Sequence, residues 1–503
     1  MKIMLVPPTS HYPQYPVPLS LSDFPTGVAY LASSLKQAGH EVIGCNPNNI
    51  GGYPSAPIML QSVLSRKLAQ YKPDLVGLGG LCTDYAFLRD AIGIIRTVSP
   101  NTAIVLGGQI VNNDAEDVFK LLQPDWAVVG EAEQAIIEIA NGKCDKGIIK
   151  ADYHRNLDEL PFPDYEPFGV QDMLDNYSQH TRLLYRYSRP YPRPFVIVAS
   201  RSCVFSCTFC IHGRRDIPYR ARSIGNIMAE IKMMYEKYKF NILMIDDELF
   251  AVNKKRLNEF SQAVIEGKEK YGWDFDWMFQ THASAKLDLD TLNLAKKAGC
   301  YLFSYGLESA APAVLKSMNK RIEVPQVVEA IKLAHKSKIG FSANLIFGDI
   351  AETEDTWAES LAFWLEHGRK DFIFIANLMP YPGTKLFNTM SGWNAFPDKK
   401  FYYEHIDQGA INMTKMPASR FEALLRLTVE LEKGWLFVNL ASKVRLEVES
   451  VMGKTAMYKV WATCPHCGEE SLYRQEMGIP IKAFSMGTGC TKCNRKIKIE
   501  VGV

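Results

Sequence analysis

The first part of the chain alternates short apolar runs with segments of helical periodicity. In "TGVAYLASSLKQAGH", Val28, Leu31, Ala32 and Leu35 fall on one helical face. Apolar strands separated by helices predict an α/β fold, with a doubly wound, Rossmann-like parallel sheet over residues 1–145. The predicted strands are "KIMLV", "EVIGC", "PDLVGLGGL", "TAIVLGGQ" and "PDWAVVGEAE".

A second set of apolar runs begins at residue 195. Six strand-like runs alternate with helical segments such as "SIGNIMAEIKMMYEKY", which predicts a partial (β/α)6 TIM-like barrel over 195–400. The runs are "PFVIVAS", "FNILMID", "FDWMFQT", "YLFSYGLES", "GFSANLIFG" and "DFIFIANLMPYP".

The remaining segments differ in composition. Residues 146–194 are rich in Pro, Tyr and Arg, which predicts a linker with little regular structure. Residues 401–455 form a predicted helical region, in which 418–452 is one long helix or a helix pair. The last segment, 456–503, carries two paired cysteines.

Composition narrows the class of protein. Of 503 residues, 47% are hydrophobic and 22% charged, and the formal net charge is +2. Without a block of like charges, the chain is expected to bind neither nucleic acid nor a membrane surface. No apolar run approaches the roughly 18 residues of a membrane helix, and the apolar start before Pro7 is too short for a signal peptide. We therefore expect a cytoplasmic protein.

Eleven cysteines in such a chain are not expected to form disulfides, because the cytoplasm is reducing. Four are scattered and are predicted to be ordinary buried thiols. Seven are clustered and need another explanation. The scattered ones are Cys45, Cys82, Cys144 and Cys300, and the clustered ones are Cys203, Cys207, Cys210, Cys464, Cys467, Cys490 and Cys493.

The spacing C-x3-C-x2-C at Cys203, Cys207 and Cys210 follows the first predicted barrel strand. Iron–sulfur cubanes are held by thiolates, and three cysteines leave one of four irons without a protein ligand. An open coordination position marks a reactive metal site rather than a structural one. The alternatives are a zinc site or coincidence.

A C-x3-C-x2-C motif directly after the first strand of a six-stranded barrel resembles that of the radical S-adenosylmethionine (SAM) superfamily. The resemblance implies a [4Fe–4S] cluster whose open iron chelates the amino and carboxylate groups of SAM and yields a 5′-deoxyadenosyl radical. It also implies that Phe209, beside Cys210, supports the adenine.

Four further segments are similar to the motifs of this superfamily: "MIDDELF", "YGLES", "LIFGDIAETEDT" and "MPYPGTKL". On the third strand, where relatives often carry an arginine, this chain offers Gln280 and His282. Arg222, in "YRARS", is expected to contact either the linker or SAM. The SAM contacts implied are Phe209, Asp247, Gln280, Glu308, Ser309 and Gly348.

The domain order resembles the cobalamin-dependent branch of the superfamily, because a doubly wound domain precedes the barrel. Neither G-x-G-x-x-G after the first strand nor D-x-H-x-x-G is present. His154 and His11 are weak candidates for a cobalt ligand, so a cobalt without histidine is expected. The implied cobalamin contacts are Cys82, Thr83, Gly107, Gly108, Gln109, Gly130 and Glu131.

This branch implies methyl transfer from SAM via methylcobalamin to an unactivated carbon, with electrons from an external flavodoxin- or ferredoxin-type donor. Two alternative hypotheses remain open. One is a cobalamin-dependent radical SAM cyclase or rearrangement enzyme, and the other is a corrinoid- or nucleic-acid-binding protein.

The C-terminal knuckles "CPHCG" and "CTKC" place Cys464, Cys467, Cys490 and Cys493 at the spacing of a zinc ribbon. An auxiliary iron–sulfur cluster is the alternative, and His466 is expected to be a turn residue. Because ribbons can grip macromolecules, we expect a peptide or protein substrate, as in glutamine C-methylation. That expectation rests on analogy alone.

Overall fold

A computed structural model describes the chain apart from residues 10–11, 13–23, 49, 176–188, 190, 213–216, 390–397, 407–410, 435–438, 482 and 502–503. The chain divides into two compact units. The first comprises Met1–Ser178, Thr208–Arg222 and Pro380–Gly409. The second comprises Gln179–Cys207, Ser223–Met379 and Ala410–Val503.

The first unit contains a parallel sheet of six strands in the order β2-β1-β3-β4-β5-β6. Side chains Ile3 to Val6 of β1 are fully buried, as expected for an inner strand of a parallel sheet. The strands are β1 Lys2–Val6, β2 Glu41–Gly44, β3 Leu75–Gly79, β4 Ala103–Gly107, β5 Trp126–Val129 and β6 Gly147–Lys150.

Helices follow these strands as the sequence predicts. They are α1 Thr26–Gln37, α2 Ala56–Tyr71, α3 Tyr85–Val98, α4 Gln109–Leu122, α5 Ala132–Ala140 and α6 Val170–Asp175. Two short helices, Lys385–Thr389 and Lys399–His405, and the two-residue strand Arg220–Ala221 complete the unit.

The segment predicted to be an irregular linker contributes the sixth strand, β6, which pairs with β5. Its exposed Ile148 and charged neighbours weaken the apolar signal, as is usual at a sheet edge. The linker aromatics Tyr165 and Phe168 are buried, so they anchor this segment to the unit.

The second unit contains the six predicted barrel strands, all parallel, in the order β12-β11-β10-β9-β8-β7. This order confirms an open, partial barrel. The strands are β7 Pro194–Ile197, β8 Ile242–Ile245, β9 Asp276–Thr281, β10 Cys300–Glu308, β11 Gly340–Phe347 and β12 Phe372–Asn377, with a two-residue strand at Ser200–Arg201.

Seven helices accompany this sheet in the described part of the unit. They are α7 Ile224–Tyr238, α8 Lys254–Tyr271, α9 Leu289–Lys297, α10 Pro312–Ser317, α11 Val324–Ser337, α12 Glu354–Glu366 and α13 Ala418–Gly434.

The C-terminal part consists of antiparallel strands. These are β13 Ser442–Met452, β14 Thr455–Thr463 and β15 Glu470–Gly478 in one sheet, and β16 Phe484–Gly489 with β17 Lys496–Val501 in a hairpin. The helical prediction for 418–452 is therefore wrong for Ser442–Met452. In β13, Val444, Leu446 and Val448 alternate with polar residues, which is the period of a strand.

Within the described ranges, every helix is too short or too polar to cross a bilayer.

Candidate active site and metal centres

The cysteine loop follows β7 in the second unit, where Cys203 and Cys207 are both half-buried. Burial raises the pKa of both thiols, and the nearby Lys320 ammonium acts in the opposite direction. Phe209 and Cys210 belong to the first unit and are also half-buried. As a donor set, three thiols on one short loop fit an iron–sulfur cubane with one free iron.

Asp247 lies at the end of β8 and is buried. Its Oδ1 accepts a hydrogen bond from the Ala199 backbone N–H (2.7 Å), and its Oδ2 accepts one from the Ser200 hydroxyl (2.6 Å). Burial raises the pKa of Asp247 to about 6. Asp247 thus holds the segment that leads into the cysteine loop, whereas Asp246 and Glu248 beside it are exposed.

Glu308, the last residue of β10, has a left-handed backbone with φ 68°. For a residue with a side chain this conformation costs about 1–2 kcal/mol, and such strain is typical of functional positions. Its Oε1 lies 2.9 Å from Lys320 Nζ, and both side chains are largely buried. A Cβ on Gly306 would lie 2.4 Å from that Nζ, so the glycine makes room for the lysine.

Ser309 is buried, and its Oγ accepts a hydrogen bond from the Ala311 backbone N–H (3.1 Å). A second hydrogen bond joins it to the Ser360 hydroxyl (3.2 Å). Ser309 therefore fixes the turn between β10 and α10.

Gly348 follows β11 with φ 109°, and its N–H donates to Glu352 Oε2 (2.9 Å). Burial raises the pKa of Glu352 to about 7. The Thr353 hydroxyl then caps α12 by accepting a hydrogen bond from the Thr356 backbone N–H (3.3 Å). Gly348, Glu352 and Thr353 of "LIFGDIAETEDT" thus form one turn, which the hydrogen bond between Gly348 and the Glu352 carboxylate closes.

Gln280 and His282 lie at the end of β9. The Gln280 carbonyl accepts hydrogen bonds from the Phe250 and Ala251 N–H groups, and its side chain is half-buried. His282 is buried and packs on Phe205 of the cysteine loop, with 3.9 Å between ring centroids. Burial lowers the pKa of His282 to about 4, so the ring is neutral at physiological pH.

In the second unit, the predicted SAM residues therefore gather at one edge of the sheet. Asp247, Gln280, Glu308 and Gly348 end neighbouring parallel strands, and ligands of parallel α/β sheets bind at this carboxyl edge. The loop that carries Cys203 and Cys207 leaves the same edge.

In the first unit, the strand-end glycines differ in what surrounds them. Gly108 has φ 83°, and a Cβ there would meet the Gly80 backbone at 2.6 Å. Gly130 has φ 111°, and a Cβ would meet the Ala151 carbonyl oxygen at 2.2 Å. Gly107 has open space, with only Val128 O at 4.0 Å. Of these three glycines, Gly107 is therefore the one where a Cβ would meet no close neighbour.

The other predicted cobalamin contacts lie on the turns after β3, β4 and β5. Cys82 is buried, Thr83 is half-buried, and the Gln109 amide lies 3.1 Å from His212 Nδ1. Glu131 forms a two-pronged ion pair with Arg220, with both N···O distances 3.0 Å.

Two further residues that the sequence singles out, His154 and Arg222, have defined places. His154 donates its backbone N–H to Glu131 (2.8 Å), and its ring lies 3.7 Å from Glu133. Arg222 lies over the ring of Phe162, which confirms the expected linker contact. His11 is outside the described residues.

The four C-terminal cysteines form a compact group, with all ligand atoms within 4.8 Å of one another. The Sγ–Sγ distances are 3.8 Å for Cys464–Cys493 and 3.7 Å for Cys467–Cys490. Tetrahedral zinc with Zn–S bonds of about 2.3 Å requires edges of about 3.8 Å. The His466 ring bonds to the Lys496 carbonyl (3.1 Å), in keeping with a turn residue rather than a ligand.

This ribbon packs on the amino edge of the second sheet. A Cβ on Gly340, the first residue of β11, would lie 2.6 Å from the Asn494 carbonyl oxygen beside Cys493. Since β11 has 8 residues, each rising about 3.3 Å, the ribbon and the cysteine loop lie at opposite ends of the strands.

Family comparison agrees with this division of the chain. Residues 23–140 match the B12 binding domain, and residues 197–363 match the Radical SAM superfamily. The matched ranges contain the glycine-ended strands of the first unit and the cysteine motif with four of the SAM strand ends.

The proteins that resemble this chain include two methyltransferases and a cyclase. An uncharacterized methyltransferase of Pyrococcus horikoshii is 27% identical over 417 residues, 77% of this chain and 82% of that protein. The anaerobic magnesium-protoporphyrin IX monomethyl ester cyclase of Cereibacter sphaeroides is 25% identical over 73% of this chain, which spans 60% of the cyclase. The radical SAM methyltransferase TsrM of Kitasatospora setae shares the fold, with a TM-score of 0.57 at 14% identity over 78% of this chain and 77% of TsrM.

The chain therefore combines a B12-binding domain with a radical SAM domain, which is the domain pair of a cobalamin-dependent radical SAM enzyme. Its cofactors are a [4Fe–4S] cluster, SAM and cobalamin.

Sequence reasoning missed Lys320 and Arg220, which pair with Glu308 and Glu131. The signal available was weak. "MNKR" lies between two predicted helices. In "YRARS" the family resemblance points to Arg222 and not to Arg220.

Proposed function

We propose that this enzyme transfers a methyl group from SAM, by way of cobalamin, to an unactivated carbon of its substrate. The observation that carries the proposal is a three-cysteine loop at the carboxyl edge of a six-stranded sheet, in a chain that also has a B12-binding domain. When bound, the cluster and SAM supply a 5′-deoxyadenosyl radical, and cobalamin carries the methyl group.

The balance of the reaction follows from these parts. One SAM donates its methyl group and leaves S-adenosylhomocysteine, and a second is cleaved to methionine and 5′-deoxyadenosine, which takes up the substrate hydrogen. Two electrons per turnover are required, and we propose a flavodoxin- or ferredoxin-type donor.

The residues have distinct proposed roles. Cys203, Cys207 and Cys210 hold the cluster, and Phe209, Gln280, Glu308 and Gly348 contact SAM. Asp247 and Ser309, whose side-chain oxygens already accept hydrogen bonds within the fold, act by fixing the strand ends around SAM. Cys82, Thr83, Gly107, Gly108, Gln109, Gly130 and Glu131 line the cobalamin site.

The test uses reconstituted enzyme under anaerobic conditions with added cobalamin, a reductant and SAM labelled in its methyl group. We expect the label to move to cobalamin without any substrate, and reductive SAM cleavage to disappear in Cys207→Ala. Label that stays on SAM while 5′-deoxyadenosine accumulates would contradict methyl transfer.

The cyclase relative is a specific reason to keep a second candidate, oxidative ring formation without methyl transfer. The same labelling experiment separates the two reactions, because a cyclase leaves the labelled methyl group out of both cobalamin and product.

For the substrate, a peptide or protein stays a prediction. The ribbon that suggested it lies at the amino edge of the sheet, away from the cysteine loop, and so adds no support. Two of the three named relatives have small molecules as substrates: tryptophan is the substrate bound to TsrM, and the cyclase is named for a magnesium-protoporphyrin ester.

For the ribbon, we propose structural zinc, supported by sulfur–sulfur distances that match a tetrahedral site. An auxiliary iron–sulfur cluster at this position would lie about 25 Å from the cysteine loop, which disfavours a direct redox role.

A further inference from the structure

A turn between α10 and α11, residues 318–321, contacts the cysteine loop from inside the second unit. Asn319 Nδ2 donates to both the carbonyl oxygen (2.9 Å) and the hydroxyl (3.2 Å) of Ser206, which lies just before Cys207. Asn319 and Arg321 both have left-handed backbones, at φ 51° and 55°. This conformation turns the chain so that Lys320 points inward.

The Lys320 backbone also supports the loop. Its carbonyl oxygen lies 3.2 Å from His282 Nε2, and the His282 ring packs on Phe205. Because His282 Nδ1 accepts a hydrogen bond from the Ser284 backbone N–H (3.2 Å), Nε2 carries the hydrogen and donates it to this carbonyl. The turn therefore braces both Phe205 and Ser206, the two residues that precede Cys207.

The Lys320 side chain brings a positive charge into this site. It is 10% exposed, pairs with Glu308 at 2.9 Å, and fills the space left by Gly306. The low dielectric of a buried site strengthens the attraction between such a cation and any negative charge close to it.

We propose that Lys320 is a positioning residue of the iron–sulfur centre, which braces the cysteine loop through its backbone and favours the reduced cluster through its ammonium group. Reduction adds an electron to a centre that three thiolates already make negative, so a nearby cation raises the reduction potential. The inference rests on Cys203, Cys207 and Cys210 as cluster ligands, and not on the methyl-transfer reaction.

The test compares Lys320→Met, Lys320→Arg and the exposed control Lys316→Met in reconstituted full-length enzyme. Iron content and an EPR-monitored titration give cluster occupancy and midpoint potential. We expect a more negative potential in Lys320→Met, recovery towards the wild-type value in Lys320→Arg, and no shift in Lys316→Met. A Lys320→Met variant that carries a full cluster with the wild-type potential overturns the inference.

If Lys320→Met does not fold, Lys320→Gln removes the charge but keeps a side-chain N–H that can donate to Glu308. A folded Lys320→Gln variant with a more negative potential supports the role of Lys320, and one with the wild-type potential overturns it. Wild-type enzyme without a cubane would instead overturn the proposed function itself, so the two failures are distinguishable.

Discussion

Two residues at the carboxyl edge of the second sheet, Ser202 and Glu308, adopt left-handed backbones without glycine, and neither ends a helix. One precedes the first cluster cysteine and the other ends β10. Strain of this kind persists where the surrounding structure enforces it. Here the enforcing contact at Glu308 is the buried ion pair with Lys320.

Glu352 gives a prediction about pH at this scale. Its folded pKa of about 7 is above the usual value, because burial disfavours the charged form. Its contribution to stability is therefore present at low pH and is lost as the pH rises through 7. We expect the free energy of unfolding to fall by about 1 kcal/mol between pH 6 and pH 8.

The matched variants are Glu352→Gln, which removes this titration, and Glu354→Gln, an exposed acid two residues further on, in the first turn of α12. Thermal unfolding at the two pH values should show a smaller loss of stability in Glu352→Gln and the wild-type loss in Glu354→Gln. An unchanged pH dependence in Glu352→Gln would refute the assignment.

At the scale of elements, the strand-end glycines of the first unit allow a paired test. Gly108→Ala forces a Cβ against the Gly80 backbone in a left-handed conformation, so we expect a stability loss of about 2 kcal/mol or more. Gly107→Ala has open space and should fold normally.

If cobalamin occupies that space, Gly107→Ala should weaken its binding about tenfold, equal to ~1.4 kcal/mol. Thermal unfolding and the absorption spectrum of bound cobalamin measure the two effects. Wild-type cobalamin affinity in Gly107→Ala would place the cofactor elsewhere.

Most elements could be predicted from the sequence because their signals are local. The six barrel strands and both cysteine motifs depend on short periods and fixed spacings. The strand β13 is hard to predict because a true helix, α13, precedes it, so that its alternating apolar residues resemble a continuation of the helix. The role of Lys320 cannot be predicted from the sequence. It depends on a turn that brings the lysine to Glu308 and on the space that Gly306 leaves for its side chain.

At the scale of the whole molecule, the chain contains two thiolate sites of different design. Three half-buried cysteines on one loop would leave one coordination position of a metal centre without a protein ligand. The four cysteines of the ribbon would fill all four positions of a tetrahedral metal. In the proposed function the open site serves chemistry, and the proposed zinc of the closed site holds a small module together, since short segments need a metal to fold.

Metal analysis tests this contrast. We expect iron and zinc in a ratio of four to one, about what one cubane and one ribbon require. Cys490→Ser should lose zinc and destabilise the ribbon but keep the iron. Iron at twice the expected content, with no zinc, would indicate an auxiliary cluster instead.

The most direct test of the account is EPR of the reduced, anaerobically reconstituted enzyme before and after addition of SAM. We predict a cubane signal that changes when SAM binds the open iron. In variants of Cys203, Cys207 or Cys210 this signal should be lost. Absence of a cubane signal, or a signal that SAM leaves unchanged, would contradict it.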